Sequence, residues 1–142
     1  MSWVLEMELN IFTHGKDAYE IAKLLPSTNS RVVNRGERHA VGGLNPEFGI
    51  PQSGSVRFTS SWNEKNLSED VNVDYECEFF SQFENCQEIL RELRFDAGCE
   101  FEIVLKISCT DETPVLQFGN KLSSFLASHN ATLSILTEVP DS

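Results

Sequence analysis

Apolar runs in this chain are short, none approaching the 18 or so residues that a membrane-spanning helix needs. The opening stretch MSWVLEMELNIF has no cationic start, and Glu6 and Glu8 interrupt its apolar residues. No signal peptide or membrane anchor is therefore expected, and the expected location is cytoplasmic. Lysine and arginine are scarce as well: 11 against 22 aspartates and glutamates, a net charge of −11. That balance repels phosphates, so direct nucleic-acid binding and anionic-membrane binding are excluded as expectations, whereas a basic protein partner would be attracted. The four cysteines (Cys77, Cys86, Cys99, Cys109) form no C-x-x-C pair, and no histidine stands at ligand spacing from them. Reduced thiols, three of them at core positions, are expected, with neither metal nor cofactor. A G-x-S-x-G nucleophile motif is also missing, and no carboxylate pair stands out for acid–base work, so no catalytic residue is assigned.

The residues that are present fit one globular domain over 1–142. Forty per cent are hydrophobic and ten are phenylalanines, too apolar for a disordered chain. Residues 3–12 alternate Trp3, Leu5, Met7, Leu9 and Ile11 with mostly polar neighbours, the pattern of a half-buried strand. His14-Gly15-Lys16 reads as a turn, and Asp17 as the cap of a short helix holding Ala18, Ile21, Ala22, Leu24 and Leu25, stopped by Pro26. Residues 26–54 read as a long irregular loop. Val56, Phe58, Ser60 and Trp62 resume alternation as a second strand, NEKNLSED reads as a turn, and residues 71–79 read as a third strand closing a hairpin. From Ser81 to Arg94 a helix is expected, with Phe83, Cys86, Ile89, Leu90 and Leu93 inward and Glu84, Glu88 and Glu92 as an outer ridge. A long strand through Phe101–Cys109, a short one at Pro114–Phe118, a helix capped by Asn120 and a closing strand Ala131–Leu136 complete the order β-α-β-β-α-β-β-α-β. The class this order implies is α+β, a largely antiparallel sheet with three helices packed on it.

Between Leu67 and Leu90 stand seven acids and no lysine or arginine. If residues 71–79 alternate as a strand, Val71, Val73, Tyr75, Cys77 and Phe79 face inward, and Asp70, Asn72, Asp74, Glu76 and Glu78 face outward together. Carboxylates two residues apart on one strand face lie about 7 Å from each other and repel by roughly 0.6 kcal/mol in water, a cost that solvation alone can carry. Residues 64–102 nevertheless concentrate twelve acids against three bases, Lys65, Arg91 and Arg94. The partner-binding surface expected on this basis comprises Asp70, Asp74, Tyr75, Glu76, Glu78, Phe80, Glu84 and Glu88, with the aromatics as anchors beside the charges. Arg31, Arg35, Arg38 and His39 are the one basic concentration and match no phosphate-binding spacing, so they read as solvated loop. His14, near Asp17 and Glu20, is the best isolated acid–base candidate, and no nucleophile accompanies it.

The opening strand ending near Phe12, the segment HGKDAYEIAKLLPSTNSRVVNRG with its Gly-containing turn, Trp62, the Ile89–Leu93 helix and the closing ATLSIL strand together resemble a bacterial family described as domain of unknown function 4279. The resemblance covers most of the chain and implies a small soluble domain; it carries over no catalytic residues. By analogy with small acidic domains that accompany toxins, it adds an immunity-protein-like character. The function expected is stoichiometric neutralisation of a basic toxin domain, such as a nuclease, by protein–protein binding. Two alternatives stand beside it: a nucleic-acid-mimicking inhibitor of a DNA- or RNA-binding enzyme, and a small-molecule-binding domain using the 26–54 loop.

Overall fold

A computed structural model describes residues 3–25, 30–33, 54–63, 74–109 and 117–138. Five strands form one sheet in the order β2-β3-β1-β4-β5: β1 (Trp3–Phe12), β2 (Ser30–Val33), β3 (Ser55–Asn63), β4 (Glu100–Cys109) and β5 (Thr132–Glu138). β1 lies at the centre, antiparallel to both β3 and β4, and β2 pairs antiparallel with β3. Among the described residues only β4 and β5 run parallel, a pairing that needs a crossover, which α4 (Asn120–Ser128) supplies. The fold is α+β with a mixed, mainly antiparallel sheet.

The alternation of β1 is realised residue by residue: Trp3, Leu5, Met7, Leu9 and Ile11 are buried, as are Phe101, Ile103, Leu105, Ile107 and Cys109 on β4. Val56, Phe58 and Trp62 of β3 complete this face. The helical layer closes over it through aromatic contacts: Phe58 meets Phe83 edge-on at 5.1 Å, and Phe125 of α4 stacks on Phe80 at 5.0 Å and on Phe101 at 6.3 Å. Each buried phenylalanine contributes roughly 2–3 kcal/mol by leaving water. Asp17 caps α1 (Ala18–Ala22) by accepting the Tyr19 amide at 3.0 Å, after a turn in which His14 and Gly15 take positive φ of 50° and 97°.

The structure corrects the expectation for the acidic segment. Residues 74–81 are not strand but helix, α2 (Asp74–Ser81), and β3 pairs with β1 and β2 in place of a hairpin partner. Residues 71–73 and Asp70 lie outside the described residues. The physical reason is a coincidence of periods. Tyr75, Cys77 and Phe79 satisfy a period of two, but Tyr75, Phe79 and Phe83 also repeat every four, and the adjacent Phe80 fits only the helix.

Helix also begins earlier than Ser81 and continues in pieces. A 3-10 turn at Glu84–Cys86 leads into α3 (Gln87–Arg91), and a π-type turn follows over Glu92–Asp96. The inner stripe is as expected, with Phe83, Leu90 and Leu93 buried and Cys86 and Ile89 packed against the core. Within the 26–54 stretch, expected as loop, residues 30–33 form the strand β2, while 26–29 and 34–53 lie outside the described residues. Of the strand expected at Pro114–Phe118, only 117–118 is described, and it carries no regular element. The closing strand runs to Glu138, two residues beyond Leu136.

Candidate functional site

The helix α2 sorts the expected site residues by its own periodicity. Tyr75, Glu76 and Phe80 turn inward and are buried, so they are not the surface contacts they were expected to be. Glu76 is wholly buried. Its carboxylate accepts the backbone N–H of Leu122 at 2.7 Å and that of Gly119 beside it. Those amides belong to the first turn of α4, whose orphan donors a carboxylate satisfies while meeting the positive end of the helix dipole. The expected cap, Asn120, is instead the first helical residue, and the true capping group arrives from another helix.

Tyr75 donates its hydroxyl to the Gln117 carbonyl at 2.8 Å. Burial, reinforced by the neighbouring Glu76 carboxylate, pushes its phenol above the ordinary range. Phe80 stacks on Phe125 within the core. Glu78 is exposed but engaged, accepting the Trp62 indole N–H. Asp74 opens α2. Cys77, expected among the inward residues, is turned out to solvent, while Cys99 and Cys109 are buried, and none of the four cysteines is in a disulfide.

Glu84 and Glu88 do reach solvent, and they are not alone. Glu84, Glu88, Glu92 and Asp96 follow one another every four residues, and all four are exposed. Their segment is fixed from beneath by Phe83, Leu90 and Leu93. Among the described residues no ion pair neutralises any of the four; the ion pairs fall elsewhere, as at Lys23–Glu20, Arg57–Glu8 and Lys106–Glu138. Like charges four apart on a helix oppose it by about 0.2–0.5 kcal/mol per pair. Across a segment that passes from 3-10 to α to π-type turns the repulsion between such exposed carboxylates is of this small order at most, and the core contacts below carry it. At its end Phe95 is 58% exposed, with the Arg94 guanidinium 5.5 Å from its ring centre. At its start Glu84 borders a hollow of about 270 Å³, where Phe80 and Phe125 meet Gln87, Lys121 and Ser124.

Two other polar regions are accounted for by their own contacts. On the sheet face opposite the core, Arg31, Arg57, Asn10, Glu102 and Thr132 stand in one rank across all five strands. There Asn10 accepts from Arg57 Nε at 2.9 Å and donates to Glu8 and Glu102 at 3.3 Å. His14, the isolated acid–base candidate, pairs with Glu100 at 3.5 Å at the surface. Among the described residues, no group of three or more His, Cys, Asp or Glu is placed to hold a metal ion, and no helix is long and apolar enough to cross a membrane. Arg35, Arg38 and His39 lie outside the described residues.

Glu84, Glu88 and Glu92 are exposed as expected of the outer ridge, and Phe95 and Asp96, outside that expectation, are exposed beside them. Continuing the four-residue step past Glu92 would have found Asp96.

Sheet, crossover and helical layer define a small α+β fold in which Glu84, Glu88, Glu92 and Asp96 are exposed carboxylates without an ion-pair partner among the described residues. The chain belongs to the family described as Domain of unknown function (DUF4279), whose model matches residues 3–140. No curated protein and no solved structure matches it.

Proposed function

We propose that this domain is a protein-binding module of the immunity type, neutralising a basic toxin domain by stoichiometric association along the ridge Glu84, Glu88, Glu92 and Asp96. The supporting observation is that these four carboxylates are exposed, four residues apart in sequence and without an ion-pair partner among the described residues, on a segment whose other side is packed into the core. Unpaired surface charge of one sign steers an oppositely charged partner and sets the salt dependence of association. Phe95, projecting at the end of the ridge, supplies apolar contact of the kind that adds affinity to such steering. A nuclease toxin grips phosphates with lysine and arginine, so a ridge of carboxylates is suited to occupy that groove.

The test is co-expression with a toxin encoded beside this chain in its source genome, followed by isolation of the complex. A one-to-one complex is expected, weakening with added salt, with protection lost when Glu84, Glu88 and Glu92 are all changed to lysine. Protection that survives the triple reversal in a folded protein would refute the ridge as the contact. Competition by DNA for several unrelated basic proteins would instead identify a nucleic-acid mimic.

A further inference from the structure

β5 ends the sheet. Among the described residues it has one strand neighbour, β4, and no strand pairs with its other backbone edge. Every one of its seven residues except Ser134 is exposed, including Leu133 at 36%, Ile135 at 47% and Leu136 at 49%. Edge strands are ordinarily protected by lysine, proline, a bulge or an inward charge. From Thr132 to Thr137 this edge has no charged residue and no proline or glycine, on a chain of net charge −11. It is thus a stretch where a second, equally acidic copy meets little direct repulsion.

We infer that β5 pairs antiparallel with β5 of a second copy about a two-fold axis at Ile135, joining two five-stranded sheets into one of ten strands. The strand reads as its own complement in this register. On the core-side face Ile135 meets Ile135 of the partner subunit, and Leu133 meets the partner's Thr137. On the opposite face Leu136 meets the partner's Ser134, and the single acid, Glu138, meets the partner's Thr132 and not another carboxylate. Lys106, 3.3 Å from Glu138, remains beside it within each copy. Direct opposition of apolar and hydroxyl side chains, with no like-charge pair, is the favourable arrangement for cross-strand neighbours. Two-fold pairing is also the commonest way identical chains associate. One strand edge covers less than the 800 Å² or so per partner of a tight complex, so the dimer is concentration-dependent in the micromolar range.

Sedimentation velocity over a concentration series tests this, with wild-type protein and Ile135→Lys, a substitution at an exposed site that leaves the core untouched. Wild type should pass from monomer to dimer, more readily as salt screens the net charge; ridge-mediated partner binding responds to salt in the opposite sense. I135K, which sets two ammonium groups face to face, should stay monomeric with an unchanged circular-dichroism spectrum. The register has its own test in a Cys77→Ser background under mild oxidation. Opposed residues of an antiparallel pair have Cα atoms about 4.5–5.5 Å apart, within disulfide range, so Ile135→Cys should cross-link. Leu133→Cys should not, because its symmetry mate lies four residues away along the strand, roughly 13 Å. A monomer at every concentration overturns the proposal, as does an undiminished dimer in I135K. Equal cross-linking at 133 and 135 also overturns it.

Discussion

Glu76 offers the sharpest test of how this fold is held, because two large effects oppose each other there. Removing a carboxylate from water costs several kcal/mol, and buried ions are often neutral or harmful to stability for that reason. Against this stand two charge-assisted hydrogen bonds, to Leu122 N and Gly119 N, each contributing roughly 1.5–3 kcal/mol, and a helix N-terminus adding up to about 2 kcal/mol in a buried setting. With both acceptor oxygens used, the bonds outweigh the desolvation. Glu76→Gln keeps the shape but replaces one acceptor with an NH₂ group, leaving an α4 amide facing a donor. A loss of about 2–3 kcal/mol is expected. Glu76→Ala leaves both amides unpaired and opens a cavity, for about 3–5 kcal/mol. Urea unfolding followed by circular dichroism reads these as a lowered midpoint at unchanged slope. Amide hydrogen exchange at Leu122 should accelerate in both variants relative to buried β1 amides. A Gln variant as stable as wild type, or Leu122 exchange that does not change, would show that desolvation cancels the cap and refute the reasoning.

Asn10, on the sheet face opposite the core, is itself buried, with its amide NH₂ between Glu8 and Glu102 and its carbonyl oxygen accepting from Arg57. Asn10→Asp is nearly isosteric but removes the donor shared by Glu8 and Glu102 and sets three carboxylates against the one Arg57 guanidinium in a buried position, so repulsion and burial should outweigh that cation and raise the new acid's pKa above its unfolded value. The variant should lose roughly 2–3 kcal/mol at neutral pH, with the deficit shrinking as pH falls through the carboxylate range, read by urea titration at several pH values. His129 is wholly buried, with Nε2 on Gln87 at 3.1 Å and Nδ1 unpartnered, and burial, aided by the Arg91 charge, lowers its pKa. A lowered histidine pKa means the unfolded chain takes up the proton first. Its contribution is therefore constant above about pH 6.5 and falls by up to about 1.4 kcal/mol per unit below that, and His129→Gln should flatten this acid limb relative to wild type. Cys77 is exposed while Cys99 and Cys109 are buried, and burial raises the Cys99 thiol, so a thiol reagent should modify Cys77 promptly in native protein and Cys99 only on unfolding.

The central strands were legible because one face of each is buried and the other is not. Phe101 to Cys109 alternate throughout and Trp3 to Ile11 depart only at Asn10, a polar residue buried on the far face, and a slip of one residue would expose the whole apolar set. β2 was missed because only four residues pair, at the edge of β3, and Arg31 and the two valines carry too short a pattern to stand out from the surrounding Ser and Asn. The parallel pairing of β5 could not be read from β5 itself. Its residues are exposed on both faces, so its sequence records no inside, and its direction follows from the α4 crossover.

The acidic segment was misread for a related reason, and the same error hid Glu76. On a strand the even positions 74, 76 and 78 share one face. On a helix each residue turns by about 100°, so Glu76 falls between Tyr75, Phe79 and Phe80 at the middle of the buried arc, while Glu78 comes out nearly opposite. A lone carboxylate centred in an apolar helical arc must find donors, because a buried unpaired charge would unfold the segment. Once helix is assumed, the pattern therefore points to a capping or networked acid before any coordinates are seen. The same rotation spared Glu84 and Glu88, already assigned to a helix, whose outer face stays outer however the preceding residues wind. What decides the role of each glutamate here is thus its angle around the helix and not the local density of charge. Seven acids in a row of twenty-four residues divide accordingly, Glu76 serving the core and Glu84 and Glu88 the surface.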